Sequence, residues 1–272
     1  MSKVNLGCGD RVAKGWVNLD FNATRPDVQA CNLLKPLPFG DGEVNAIYMG
    51  HVLEHFSQRD GETLVANCLR PLVKGGILRI VVPDLENICR EYLAVLDSTT
   101  AKPDDNDPRY EWIIIEVLDQ LTRTEPGGAM AEFWRETLEG NDCFMLDYIA
   151  SRTGTRVDSL DLAPKPLAAR LRGLSLKKLR KRIVYQYIKM VKGLLPRSIR
   201  NAVLDNTAVG EKHKWMYDRH SLEMLLRKSG FAAVEFLDAG TSGIAGFIDD
   251  HLDADPDGSP YKRSSLYCEA VK

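Results

Sequence analysis

Cysteine is present but never in a pairing pattern: the six stand at 8, 31, 68, 89, 143 and 268, and none form a CxxC. No zinc knuckle and no redox dithiol motif is encoded. The 272 residues contain no run of 18 apolar residues, so no bilayer-spanning helix is expected. The stretch from Met1 to Asp10 lacks the apolar core of a secretory signal, and a reduced, cytoplasmic setting is expected. Net charge is nearly absent, −2 from 36 basic and 38 acidic residues. That disfavours a generally basic nucleic-acid binder. Internal repeats and low-complexity tracts are also lacking.

What is present is enough apolar material, 44% of the chain, for one large domain or two small ones. Short apolar runs at 3–6, 16–21, 44–49 and 77–82 read as strands, the last stopping at Pro83. Residues 58–73 carry a helical stripe of Leu64, Val65, Cys68, Leu69 and Leu72, with Lys74-Gly75-Gly76 as its stop. This order is that of a parallel α/β sheet. Helices are expected at 84–97, 109–123 and 129–139, the second with Trp112, Ile113, Ile115, Val117, Leu118 and Leu121 as its stripe. Asp218 can cap a helix over 219–229 that stops at Gly230. Strands are expected at 231–237 and 265–271.

Charge is distributed unevenly. Residues 162–204 hold twelve Lys or Arg and no Asp or Glu, so every acid lies elsewhere. Leu167, Leu171, Leu174, Leu179, Ile183, Tyr187, Met190, Val191 and Leu194 interleave with those bases, as in one or two basic amphipathic helices. Such a segment suits an anionic membrane surface or a polyanion, or packs on the core with its charges solvated.

Gly7-Cys8-Gly9 directly after the first strand allows close backbone approach to a ligand, or serves only a tight turn. Asp20 ends the second strand, where a carboxylate can accept both hydroxyls of a ribose. Asn32-Leu33 follows at a third strand end, where an amide oxygen can accept from an adenine amino group. Ligands of open α/β sheets sit at these ends. A dinucleotide fits less well. Position 12 is Val where a third glycine is required, and Gly9 to Asp20 is shorter than the dinucleotide fingerprint. The first crossover helix must be very short or absent.

Val4 to Gly9, Gly15 to Asp20, Leu37-Pro38-Phe39, His51 to Phe56 and Leu72 to Gly76, taken in order, resemble the class I S-adenosylmethionine-dependent methyltransferases, small-molecule (type 11) group. Pro126-Gly127-Gly128 and Gly210 to Asp218 resemble a subgroup linked to glycan modification. The resemblance implies a Rossmann-like, seven-stranded mixed sheet flanked by helices. The expected divisions are a cofactor half over 1–96, a helical insert over 97–212, and a C-terminal helix and strands over 213–272. It implies S-adenosyl-L-methionine as cofactor. Gly7, Cys8 and Gly9 would lie under its methionine part, Asp20 on its ribose and Asn32 and Leu33 beside its adenine. Met49, Gly50 and His51 would line its sulfonium end. The family acid at position 32 is Asn here, which accepts a hydrogen bond without adding charge.

An oxygen acceptor benefits from a base near neutral pKa, a role that suits histidine. His51 and His213 are the candidates, the alternatives being a pocket wall for His51 and stacking beside Trp215 and Tyr217 for His213. His55 reads as a packed residue and Glu54 as ordering the loop. The pentapeptide His51-Val52-Leu53-Glu54-His55 differs from HExxH in the position of its acid, and the sequence places no third ligand, so no metal is expected. The expected activity is O-methylation of a small molecule or glycan, with peripheral contact of 165–200 at an inner membrane face and no nucleic-acid partner. The competing reading is a methyltransferase-fold binding protein recruited through its basic helices.

Overall fold

The computed structural model describes residues 2–23, 25–101, 107–123, 127–154 and 212–272, together with Tyr187 and Met190. Apart from Tyr187 and Met190, the basic segment, with the membrane contact expected at 165–200, lies outside the described residues. Seven strands form one sheet: β1 Ser2–Leu6, β2 Val17–Asp20, β3 Val28–Ala30, β4 Val44–Gly50, β5 Leu72–Pro83, β6 Ala233–Leu237 and β7 Ser265–Val271. Their order is β3-β2-β1-β4-β5-β7-β6. β1 to β5 run parallel, and β7 runs antiparallel between β5 and β6.

Six helices accompany the sheet among the described residues: α1 Gln58–Leu69, α2 Leu85–Ala101, α3 Arg109–Thr122, α4 Gly128–Glu139, α5 Cys143–Thr153 and α6 Arg219–Lys228. α1 and α6 cover one face. Leu64, Val65 and Cys68 meet Leu222, Leu225 and Leu226 there, over Leu6, Ile47, Leu78 and Ile80 of the sheet. The opposite face has no long helix on it among the described residues. Trp16 and the segment from Ala239 to Ala254 cover it, with Phe247 packed edge-on to Trp16. β1 passes to β2 through turns alone, as the short Gly9–Asp20 spacing demands.

Two sequence expectations are corrected. The stripe at 58–73 is not one helix: α1 ends at Leu69, and Leu72 already pairs with Val44 as the start of β5. Gly75-Gly76 is not a helix stop but the place where the β4–β5 register shifts, with Gly75 donating to, and Gly76 accepting from, the backbone of Lys272. The α3 stripe is also different. Trp112 and Ile113 are buried, but Leu118 is half exposed, and Glu116 and Asp119 are buried in its place. Burial of Glu116 is compensated by Arg152 of α5, which grips it through Nε and Nη2 at 3.0 and 2.8 Å. α5 itself had no clear stripe in the sequence.

Candidate active site

The carboxyl ends of β1, β2 and β4 converge on one rim of the sheet, with the end of β3 beside β2. Gly7 and Gly9 follow β1 with φ of +62° and +51°, left-handed values that only glycine adopts freely. A Cβ on Gly7 would collide with Val52 Cγ2, whereas on Gly9 it would meet nothing within 4 Å. The turn is thus packed tight at its first glycine and open at its second. Asp20 closes it: Oδ2 accepts from the Gly9 N–H at 3.0 Å, and Oδ1 from the Asn22 N–H at 2.8 Å. A carboxylate has about four lone-pair sites, so each oxygen keeps one for a ligand hydroxyl. The Cys31 N–H donates to the Asp20 carbonyl at 2.9 Å, which brings the exposed Asn32 to the same rim. The Asn32 Oδ1 accepts from the Leu34 N–H at 3.1 Å. Burial pushes the Cys8 thiol up to about 11, with Asp20 adding to the effect, so Cys8 is no nucleophile at neutral pH.

Not every candidate faces this rim. Leu33 and Met49 belong to the core on the α1–α6 face, and Met49 has no exposed surface. Side chains alternate along β4, so Tyr48 reaches the opposite face while Met49 turns inward. Met49 therefore does not line a pocket with its side chain, as the sequence suggested. Gly50 and His51 do. They border a cavity of about 270 Å³ shared with Gly7, Cys8, Arg11, Tyr48, Asp253 and Lys262. Arg11, Asp253 and Lys262 went unnoticed in the sequence: Arg11 lies in the loop after the glycine turn, and the segment after Ala239 that holds the other two has no periodicity to read.

His51 is held from both sides. Its backbone sits at φ +54°, a costly conformation for a residue with a Cβ. Its Nδ1 lies 3.1 Å from Glu54 Oε1 and its Nε2 lies 3.1 Å from Ser265 Oγ. Burial lowers the His51 pKa, although the hydrogen bond to Glu54 opposes the shift. Glu54 is fully buried. Burial alone would raise it, but the His51 hydrogen bond and the neighbouring histidines bring it down to about 2.

His213 reaches the same cluster by a separate route. Its N–H donates to the Gln120 carbonyl of α3 at 2.8 Å, and the next two N–H groups donate to the Glu54 carbonyl at 2.7 and 3.2 Å. Its ring stacks edge-on to His55, centroids 5.0 Å apart, rather than against Trp215 or Tyr217. Burial lowers its pKa to about 4. His213 lines a separate cavity of about 90 Å³, and His51 stands on the walls of both. The expectation of no metal weighed His51 with His55 and found no third ligand in the sequence; the fold groups His55 instead with Glu54 and His213.

Residues 11–80 match the family model of a methyltransferase domain. That match begins just after the glycine turn and covers the acid at the end of β2 and the strand leading to His51. Over that stretch, about a quarter of the chain, the sequence is that of a methyltransferase domain. None of the curated proteins compared with it matches. Among solved structures, an S-adenosylmethionine-dependent methyltransferase from Archaeoglobus fulgidus is 9% identical, with a TM-score of 0.39 over 100% of this chain and 86% of that one. A possible histamine N-methyltransferase from Thermotoga maritima is 11% identical, with a TM-score of 0.38 over 100% and 82%. At such scores these likenesses carry no argument for this chain. S-adenosylmethionine is the methyltransferase's cofactor. The residues present fit it: the turn is open at Gly9, and Asp20 keeps unused lone pairs on both oxygens.

Proposed function

We propose that this methyltransferase methylates an oxygen of a small-molecule or glycan acceptor. Asp20 receives the ribose hydroxyls on its remaining lone pairs, the backbone of Gly7, Cys8 and Gly9 lies under the methionine part, and Asn32 lies beside the adenine. When bound, S-adenosylmethionine supplies a methyl group on a sulfonium, already a good leaving group. The chain adds alignment, worth up to about 7–11 kcal/mol in favourable cases, and a proton acceptor, worth roughly 10²–10⁴-fold.

The observation that carries the oxygen reading is the orientation of His51. Glu54 accepts from Nδ1–H, which leaves Nε2 as the acceptor facing the Ser265 hydroxyl. An acceptor hydroxyl that takes the place of Ser265 at Nε2 hands its proton to a ring already held in the correct tautomer. Nitrogen or carbon acceptors make no comparable demand on His51. His213, the other candidate base, borders only the smaller cavity and serves as a wall. The twelve basic residues between 162 and 204 favour an acceptor presented at an anionic surface, such as a lipid-linked glycan at the inner membrane face.

The test is transfer of isotope-labelled methyl from S-adenosylmethionine to hydroxylated acceptor pools, from cells lacking the protein, with the attached atom identified by mass spectrometry. Recovery as a methyl ether or ester supports the reading. Label on nitrogen or carbon alone, from a chain that binds S-adenosylhomocysteine normally, overturns it. Co-sedimentation of the full chain with anionic vesicles at low salt tests the surface contact, and no binding there removes it.

A further inference from the structure

Glu54, His55 and His213 form a buried group with more donor atoms than hydrogen bonds. One carboxylate oxygen of Glu54 and one ring nitrogen from each histidine all lie within 4.8 Å of one another. Glu54 has no exposed surface, and its Oε2 has no hydrogen-bond partner. His213 is 6% exposed, and its Nδ1 has none either. Two unsatisfied buried polar atoms, one on each of two residues of the group, are costly, at about 1–3 kcal/mol each. Native structures leave few such atoms without a partner.

The groups around this trio are arranged as supports. His55 places Nδ1 3.2 Å from the Lys212 carbonyl, which fixes the hydrogen on Nδ1 and leaves Nε2 with a free lone pair. A backbone carbonyl behind a histidine is the usual way of orienting a metal-binding imidazole. Glu54 has its other oxygen, Oε1, on His51. The Lys214 and Trp215 N–H bonds to the Glu54 carbonyl pin the strand that carries His213 against the turn that carries the other two. The cavity of about 90 Å³ along His213 has a mixed lining, with Glu116, Gln120, Arg152 and Lys262 beside Pro83, Ile88 and Met130.

We propose that Glu54, His55 and His213 form a site for a divalent transition-metal ion of the zinc class, with one coordination position left for water or an acceptor oxygen. Two imidazoles and a carboxylate are a donor set that zinc accepts, and three protein ligands leave a tetrahedral ion one open place. Tetrahedral bonds of about 2.0–2.1 Å put ligand atoms roughly 3.4 Å apart, so the ion draws the three side chains inward by small rotamer changes. It gives Glu54 Oε2 and His213 Nδ1 the partner they lack and places a cation beside a wholly buried carboxylate. The site shares Glu54 with His51, but its occupancy does not rest on the oxygen reading: zinc is held whether or not an oxygen is the acceptor.

The experiment uses the full chain, prepared without a metal-affinity tag, stripped with chelator and titrated with zinc alone. Plasma mass spectrometry reads the metal retained after desalting, and S-adenosylhomocysteine calorimetry serves as the control for an intact fold. About one zinc per chain is expected, with affinity falling roughly a hundredfold or more in His55→Ala and His213→Ala. No retained zinc in a chain that binds S-adenosylhomocysteine overturns the proposal. So does zinc held equally well by both variants. If a variant loses S-adenosylhomocysteine binding, the cobalt-substituted wild type decides. Intense four-coordinate d–d absorption supports the site, and the weak spectrum of six-coordinate aqueous cobalt overturns it.

Discussion

Arg79 donates from Nε to Asp253 Oδ2 at 2.6 Å, and neither side chain has more than 1% of its surface exposed. The same guanidinium reaches Glu269 of β7 at 2.9 Å and the Asp238 carbonyl at 2.9 Å. Asp253 in turn accepts from the Tyr48 hydroxyl at 2.7 Å. A single buried cation thus binds β5 to β7 and to the segment that covers the open face of the sheet. Removing one partner of such a pair leaves a buried charge uncompensated, at a cost of about 3–5 kcal/mol. Arg79→Ala should lose that much, and Asp253→Asn less, since the amide still accepts from Tyr48. Urea denaturation followed by circular dichroism reads the difference. An Arg79→Ala midpoint within error of wild type would show the network to be idle.

Gly7 is predicted to tolerate no side chain. Alanine there must hold φ near +62° and displace Val52. The left-handed conformation alone costs roughly 1–2 kcal/mol. Gly7→Ala should lower the melting temperature and weaken S-adenosylhomocysteine binding together, and adding Val52→Ala should recover part of the stability. Gly9→Ala bears the same left-handed strain at φ +51° but meets no neighbour, so it should lose less stability than Gly7→Ala, while its methyl group enters the space open to the cofactor and weakens affinity. Thermal shift and calorimetry on the three variants separate the two behaviours.

Asp20 is predicted to matter twice, through the Gly9 N–H it holds and the ribose it receives. Hydrogen bonds to a charged group contribute about 1.5–3 kcal/mol each. Asp20→Ala should therefore weaken S-adenosylhomocysteine binding by roughly ten- to a hundredfold or more, with Asp20→Asn intermediate. Unchanged calorimetric affinity in Asp20→Ala would dissociate this carboxylate from the cofactor.

Asp218 caps α6. Its carboxylate accepts from the Ser221 N–H at 2.7 Å, and Ser221 Oγ accepts from the Asp218 N–H at 3.0 Å. The Ser221 backbone N–H is the main cause holding the Asp218 pKa below the usual aspartate value. Because the folded pKa is depressed, the cap contributes fully above the unfolded value near 3.9. It fades as pH falls from there through the folded pKa. Asp218→Ala should cost about 1 kcal/mol near neutral pH. The gap in melting temperature between the two proteins should narrow steadily below pH 4. A gap that stays constant into that range would rule out the charged cap.

The parts of this fold that showed in the sequence are those set by local chemistry. Asp218 and Gly230 bracket α6, and the short run from Ser265 to Val271 marks β7 over its full length. The glycine turn and Asp20 were also readable, because the strand ends on either side of a short loop must meet. What could not be read depends on distant partners. Leu72 fits a helical stripe as well as it fits β5, and only its pairing with Val44 decides. Leu118 looks like core until Arg152, 34 positions further on, turns the neighbouring Glu116 inward. The trio of Glu54, His55 and His213 joins residues separated by the whole insert, and no spacing rule links them.

β7 has one further consequence. It sits between β5 and β6, with Val271 opposite both Ile77 and Ala233. The most apolar strand of the chain therefore waits for a partner synthesised almost 190 positions later. Until that partner arrives, the rim that carries the cofactor turn has an unsealed edge, and pairings this remote make for slow assembly. Synthesis of β7, rather than completion of the first hundred residues, is therefore the point at which β5 gains its second neighbour and the sheet can close.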